Sequence, residues 1–287
     1  MKTTDKKAII YDNSCPMCAM YTEGFTRWGI LKKENRVAFA ELDTQQFIAQ
    51  LDPERSRDEI PLVDLEGGKT IYGLDALLFM LSEKIPALTY IFRVQPVYWF
   101  FKKLYKLISF NRRVIVGGRY KKEKIDCAPH FNLKYRVVFM LFAAAFATWI
   151  TYLFGEAVAT ANGTNLLPAW TAHAGWFAVA ACSAGWLLHG LVAAAILKGE
   201  TRIEYFGQMA VLQIIGVAPL IIAIAFQNTA VYVAAGAAVF SVLVSMALMT
   251  WQHLRRMKNN GWSAGWTLTW AGTLLASIAA VALTGRN

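Results

Sequence analysis

The hydrophobic grain of the chain changes once. Up to about residue 115, apolar positions come in short runs between polar turns, and beyond residue 134 they come in long stretches. Residues 7–12 begin with a short run of β formers, Ala8-Ile9-Ile10-Tyr11, and end in the turn-prone Asp12-Asn13-Ser14, which predicts a strand running into a loop. Over residues 16–33, Met17, Met20, Tyr21, Phe25, Trp28 and Leu31 recur at steps of three and four, the spacing of a helix. Pro16 suits the first helical position, because its missing N–H would have had no partner there. Residues 36–42 alternate like a second strand, and a helix is expected over 44–51. Two short strands at 60–64 and 69–72 flank a turn at Gly67-Gly68, and residues 74–83 read as a further helix.

The predicted order is thus β-α-β-α-β-β-α, the order of a thioredoxin-like fold. Residues 96–113 form an amphipathic helix. Lys102, Lys106, Ser109 and Arg113 follow one face, and Trp99, Phe100, Leu104, Leu107 and Ile108 the other. Such a helix packs on the soluble domain or lies on a membrane surface. Five apolar runs follow, near 135–154, 174–197, 207–226, 229–251 and 265–284, each close to the ~20 residues that a bilayer crossing needs. The fifth, rich in Thr, Ser, Gly and Ala, is the least apolar in character. The expected organisation is a thioredoxin-like α/β domain over 1–115, a basic juxtamembrane linker over 116–134, and an all-α transmembrane bundle of about five spans over 135–287.

Composition sharpens this division. Hydrophobic residues make up 56% of the chain and charged residues 17%, which is unusual for a soluble protein. Residues 1–136 carry 23 of the 29 Lys+Arg and 16 of the 19 Asp+Glu, so the first part reads as water-soluble and the rest as lipid-soluble. Most of the net charge of +10 sits between Arg93 and Arg136, with 12 basic residues against Glu123 and Asp126. A basic collar before an apolar run marks cytoplasmic placement and attraction to anionic lipid headgroups. No nucleic-acid-binding motif accompanies it, so nucleic acid is not an expected partner.

The connections between the apolar runs alternate in charge. Lys121, Lys122, Lys124, Lys134 and Arg136 precede the first run, Lys198 and Arg202 lie between the second and third, and Arg255, Arg256 and Lys258 lie between the fourth and fifth. The 155–173 connection and the turn at Gln227-Asn228 carry no Lys or Arg, and only Arg286 runs against the pattern. This predicts a multi-pass protein of the inner (cytoplasmic) membrane with its N terminus inside and its C terminus outside. Trp170, Trp176 and Trp262 suit interfacial positions. The polar first seven residues and the shortness of the apolar stretch after them argue against a signal peptide, so the first half is expected to stay in the cytoplasm.

Disulfides are rarely structural in that compartment. Of the four cysteines, Cys15 and Cys18 form a Cys-x-x-Cys between a strand and a helix, the context in which such a pair does dithiol chemistry. Disulfide exchange needs an attacking thiolate and a second thiol that releases the mixed disulfide. Cys15, at the helix N terminus, meets unpaired N–H groups and the helix dipole, which favour its anion. Cys18 lies about one turn further in. Cys15 is therefore expected to attack and Cys18 to resolve. Asp12 either takes the proton of the resolving thiol or caps the turn. A carboxylate in contact with Cys15 would oppose its ionisation, so a role near Cys18 suits Asp12 better. Pro61 opens the third strand, where thioredoxin-like folds use a cis-proline to face the dithiol and bind substrate backbone; the alternative is an ordinary trans-proline.

Asp12-x-x-Cys15-x-x-Cys18 after a β-strand resembles the DCC family of thiol-disulfide oxidoreductase-like proteins, named for those residues. Val37-Ala38-Phe39-Ala40-Glu41-Leu42-Asp43, Tyr72-Gly73-Leu74-Asp75-Ala76-Leu77-Leu78 and the segment Leu104 to Arg112, which ends in Asn111-Arg112, are similar to further family segments. The resemblance spans about residues 7–115. It implies a thioredoxin-like fold and a protein-disulfide reductase assignment but little about the substrate; a disulfide-containing protein or small thiol substrate is expected, and no cofactor. The apolar runs lie outside it.

Other readings compete. Cys127 and His130, with Cys15 and Cys18, would make a Cys3His zinc set, although the halves are far apart in sequence and a juxtamembrane loop suits Cys127 and His130 better. His189 and His253 could ligate haem or line a quinone site, but each also suits helix packing or an interfacial place. Cys182 reads as a small apolar residue. Ala143-x-x-x-Ala147 and Ala180-x-x-x-Ala184 allow close packing against a partner helix. A redox-sensing or scaffold membrane protein without turnover is the alternative to the reductase.

Overall fold

A computed structural model describes residues 3–44, 48–117, 129–161 and 173–284. The chain divides into two compact units, Met1–Arg136 and Val137–Asn287. In the first, β1 (Lys7–Tyr11) leads to α1 (Pro16–Arg27), β2 (Arg36–Ala38), α2 (Pro53–Asp58), β3 (Pro61–Asp64), β4 (Ile71–Tyr72), α3 (Leu74–Ser82), α4 (Ala87–Ile91) and α5 (Gln95–Val116). The sheet order is β2-β1-β3-β4. β1 runs parallel to β2, with Ile10 opposite Val37, and antiparallel to β3, with Ala8 opposite Val63; β3 and β4 are antiparallel. This is a thioredoxin-like mixed sheet.

The alternation in β1 decides which side chains go to each face. Ala8 and Ile10 join Val37, Phe39 and Val63 on one side. Ile9 and Leu62 point to the other, against Phe25, Ile30 and Leu31 of the α1 region and Ala76 and Met80 of α3. With both faces covered, β1 is central, and its end is held firmly enough to present a reactive loop.

Three expectations about local structure are corrected. The second strand stops at Ala38, and the chain turns into 3-10 helix over Phe39–Thr44. Residues 45–47 of the helix expected over 44–51 lie outside the described residues; the described part is 3-10, at the end of Phe39–Thr44 and at Ile48–Gln50, and the α-helix that follows is α2. The reason is capping. Asp52 accepts from the Arg55 N–H and Pro53 occupies the first turn, so the helix-start signal lies just beyond the periodic stretch. In α5 the polar residues Ser109, Asn111 and Arg112 are buried, whereas Trp99, Phe100 and Ile108 are exposed. Those polar side chains are inside because they satisfy backbone carbonyls: Ser109 donates to Asp58, Arg112 to Arg57 and Asn111 to Leu107.

Gly73, before α3, has φ +67°, a region L side chains avoid, and a Cβ there would meet Tyr105 and Glu59 at 3.2 and 3.3 Å. Its N–H donates to the Ile60 carbonyl. That tight crossing sets the start of β3 beside α5.

The second unit is helical: α6 (Leu133–Ala161) enters it, followed by α7 (Ala174–Ile196), α8 (Gly199–Val217), α9 (Leu220–Phe226), α10 (Val231–Asn260) and α11 (Gly265–Thr284). Four stretches among the described residues are long and apolar enough to cross a membrane: Leu133–Ala159, Ala174–Ile196, Gly199–Phe226 and Val231–Asn260. The fifth predicted run is the helix α11. The third span begins earlier than its apolar run, so Arg202 and Glu204 fall in the first turns of α8 rather than in a connection. Glu156 likewise lies within α6, where it accepts from the Gly175 N–H.

Small residues bring α7 and α11 together, but one register away from the expected pair. Ala181 and Gly185 are buried while Ala180 is exposed, and a Cβ on Gly185 would strike the Leu274 backbone at 2.7 Å. Ser277 donates to the Ala181 carbonyl at 2.7 Å. Ala143 and Ala147 of α6 are buried as that spacing suggested. Trp176 is exposed, Trp262 packs on Tyr205, and Trp170 lies outside the described residues.

Candidate active site

β1 ends at Tyr11, and the next four residues carry the site. Asp12 is buried. Its Oδ1 accepts from the Ser14 N–H at 2.9 Å and from the Ser14 hydroxyl at 2.6 Å, and its carbonyl accepts from the Cys15 N–H at 3.2 Å. The Asp12 side chain thus builds the turn that delivers Cys15 to the N-cap position of α1. Cys15 is fully buried and Cys18 nearly so. Thr22 locks the turn beneath them: its hydroxyl donates to the Cys18 carbonyl at 2.7 Å and accepts from the Arg36 guanidinium at 3.0 Å. Arg36 also donates to the Ala19 carbonyl and stacks over Tyr11, 3.9 Å from the ring centre. The first turn of α1 is therefore fastened to both neighbouring strands.

The two thiols are driven apart in acidity. The hydrogen bond from Cys18 brings Cys15 down from about 9 to about 7, with help from the Arg112 guanidinium and against burial and the Asp12 carboxylate. Cys18, as the donor in that bond and buried, is pushed far upward. One thiol is ionised near neutrality and the other holds its proton, a division of labour that disulfide exchange requires.

Three groups frame the pair that the sequence did not single out for the site. Arg112, from the far end of α5, brings Nη2 to 3.7 Å from Asp12 Oδ2, with both side chains almost wholly buried. Asp12 is therefore divided: one oxygen holds the turn, and the other accepts no hydrogen bond and faces Arg112. The turn-capping reading of Asp12 corresponds to its two hydrogen bonds with Ser14. Tyr105, also on α5, accepts the Ile60 N–H at 3.0 Å, and burial raises its hydroxyl to about 12, with a smaller contribution from Cys18. Tyr21 hydrogen-bonds Cys18 and is raised by burial and by that thiol. The signal for Arg112 lay in the sequence in the Asn111-Arg112 pair that closes the amphipathic helix.

Pro61 is buried at the start of β3, opposite Tyr72. Its peptide bond is trans, as are all those among the described residues. Tyr105 accepts from the N–H of the preceding residue, Ile60. His130 is held by α2, with Nε2 2.9 Å from Glu54 and Nδ1 3.0 Å from Asp58. Cys127 lies outside the described residues, and among those described no group of three or more His, Cys, Asp or Glu is placed to hold a metal ion. In the second unit, His189 and His253 meet through Tyr205. The Tyr205 hydroxyl is 2.5 Å from His189 Nε2 and 3.3 Å from His253 Nε2, and His253 Nδ1 is 2.7 Å from the Thr267 hydroxyl.

A thioredoxin-like sheet whose first strand delivers a Cys-x-x-Cys to a helix N terminus, with thiols of opposed acidity, defines a dithiol oxidoreductase domain. Residues 9–118 match the sequence model of the DCC1-like thiol-disulfide oxidoreductase family. The match takes in less than half of the chain. No match was found to a curated protein or to a solved structure.

Proposed function

We propose that the protein is a membrane-anchored thiol-disulfide oxidoreductase of the protein-disulfide reductase type, working on the cytoplasmic face. The observation that carries this is the opposed acidity of Cys15 and Cys18 at the start of α1. The Cys15 thiolate attacks one sulfur of a substrate disulfide, forming a mixed disulfide and releasing the other sulfur as a thiolate. Cys18 then gives up its proton and attacks Cys15 Sγ. The second substrate sulfur leaves, and Cys15 and Cys18 end as a disulfide. The substrate gains two electrons and the domain loses two, which a thiol reductant returns. Asp12 Oδ2, free of hydrogen bonds, is the proton acceptor for Cys18 in this scheme. Pro61 supplies backbone contact to the substrate segment.

The bundle anchors this domain in the inner membrane. Removing residues 137–287 is expected to leave insulin-type disulfide reduction by the remaining domain intact, and so is Cys182→Ala in the full chain. Loss of exchange by a correctly folded fragment would tie the chemistry to the membrane helices instead.

The charge alternation supports a cytoplasmic N terminus and an external C terminus over five crossings. Alkaline phosphatase fused after Asn287 is expected to be active, and a fluorescent protein at the same point dark. The opposite pair of readings would give an even number of crossings, with α11 the segment left out.

A further inference from the structure

The second unit encloses a cavity of about 430 Å³ lined in part by Thr148, Thr151, Cys182, Ser183, Trp186 and Gln213. A second, of about 210 Å³, shares Ala144, Trp186 and Gln213 with it and reaches His189. The two therefore adjoin along one wall. Their polar groups are unusual for a membrane span. Among the described residues, the side chains of Thr148, Thr151, Ser183 and Gln213 make no hydrogen bond. By contrast, Ser245 donates to the Gly216 carbonyl and Ser277 to that of Ala181. His189 is buried and its Nδ1 has no partner, its other nitrogen being taken by Tyr205. Within a bilayer no water waits to satisfy such groups, and each one left unpaired is costly.

The wall limits what can satisfy them. No Asp, Glu, Lys or Arg lines either cavity, so a phosphate, carboxylate or ammonium headgroup would be left without a counter-charge. Val179, Leu220 and Met249 make much of the remaining surface apolar, which is poor lodging for a water cluster that needs several polar partners for each molecule. Trp186 offers a flat aromatic face to both cavities. Thr148 and Leu187 are exposed on the outside of the bundle, so the larger cavity opens toward lipid.

We infer that the membrane unit binds one uncharged, lipid-soluble ring-carbonyl compound of the quinone class in these adjoining cavities. Its ring lies against Trp186, and its carbonyl oxygens accept hydrogen bonds from Gln213 and the Thr151 hydroxyl. This is a binding site separate from the dithiol, and its test needs no thiol activity.

The test uses full-length protein in lipid nanodiscs and a decyl-benzoquinone, followed by quenching of tryptophan emission. The expected result is a saturable one-to-one quench, much of it lost in Trp186→Phe. Gln213→Leu is expected to raise the midpoint about tenfold, the effect of removing one buried hydrogen-bond donor. Ala144→Phe, a change at an exposed position on α6 that fills the shared wall without touching a donor, is expected to abolish the saturable part. Should Gln213→Leu fail to fold, Ala144→Phe decides alone. A quench that never saturates and only follows partitioning into lipid would overturn the inference, as would a saturable quench left unchanged by Ala144→Phe.

Discussion

Replacing Cys15 with Ser is expected to remove thiol-disulfide exchange altogether, and replacing Cys18 with Ser to arrest it halfway. The first change deletes the only group of the pair that is ionised near neutral pH; a serine hydroxyl in its place is not a thiolate. The loss is expected to reach the assay background. The second change leaves the attack intact but removes the sulfur that releases the product, so substrate stays on Cys15 as a mixed disulfide, visible by mass under non-reducing conditions. The acidity gives a pH signature. Alkylation of Cys15 in the reduced protein should rise with a midpoint of about 7 rather than 9, because the folded site favours the thiolate, so the reactive form persists two units further toward acid. Cys18→Ala, which deletes the donor to Cys15, should move that midpoint back up. Preferential alkylation of Cys18 in the reduced wild type would reverse the assignment of the two roles.

The second large effect belongs to Arg112. Arg112→Leu leaves the Asp12 carboxylate buried opposite an apolar side chain. Breaking a buried ion pair by removing one partner costs about 3–5 kcal/mol, because the remaining charge stays out of water without compensation. Asp12 and Arg112 are both almost fully buried, so solvent screens the pair little. The first unit is expected to lose about 3 kcal/mol in urea unfolding. Asp12→Asn in the same chain should restore part of it, since the stranded charge is then gone. The two substitutions act oppositely on Cys15. Losing the guanidinium raises its alkylation midpoint, and losing the carboxylate lowers it. Midpoints moving in the same direction would show that Asp12 and Arg112 influence the thiol through backbone shape rather than charge.

The parts of this site that lie close in sequence were legible, and those that come from afar were not. Asp12, Cys15, Cys18 and Pro16 sit within one turn, where strand periodicity, turn residues and helix-start chemistry all agree. The thioredoxin-like order followed from alternation and spacing over residues 7–83. What misled was the stretch 44–51, whose apolar rhythm suits a helix although the strong N-cap, Asp52 with Pro53, comes after it. Arg112 lies 100 residues from Asp12, and amphipathicity placed the face of α5 that carries Ser109 and Arg113 toward water. Burial of Ser109, Asn111 and Arg112 depends on which carbonyls the fold leaves open, and periodicity does not encode that. The meeting of His189, Tyr205 and His253 depends likewise on the register between α7, α8 and α10.

Cys15 presents no surface to solvent at all. Its acidity favours the thiolate, but no bulk thiol or oxidant can collide with it until the site opens. Every observed rate is then an intrinsic rate multiplied by the fraction of time the site stands open. If that fraction is on the order of one in a hundred, a small disulfide meets a hundredfold slower enzyme than the thiol alone would give. A larger substrate that uses its own binding energy to hold the site open escapes that penalty. Selectivity would then rest on the opening step, and the same burial would shield the thiolate from stray oxidation between turnovers.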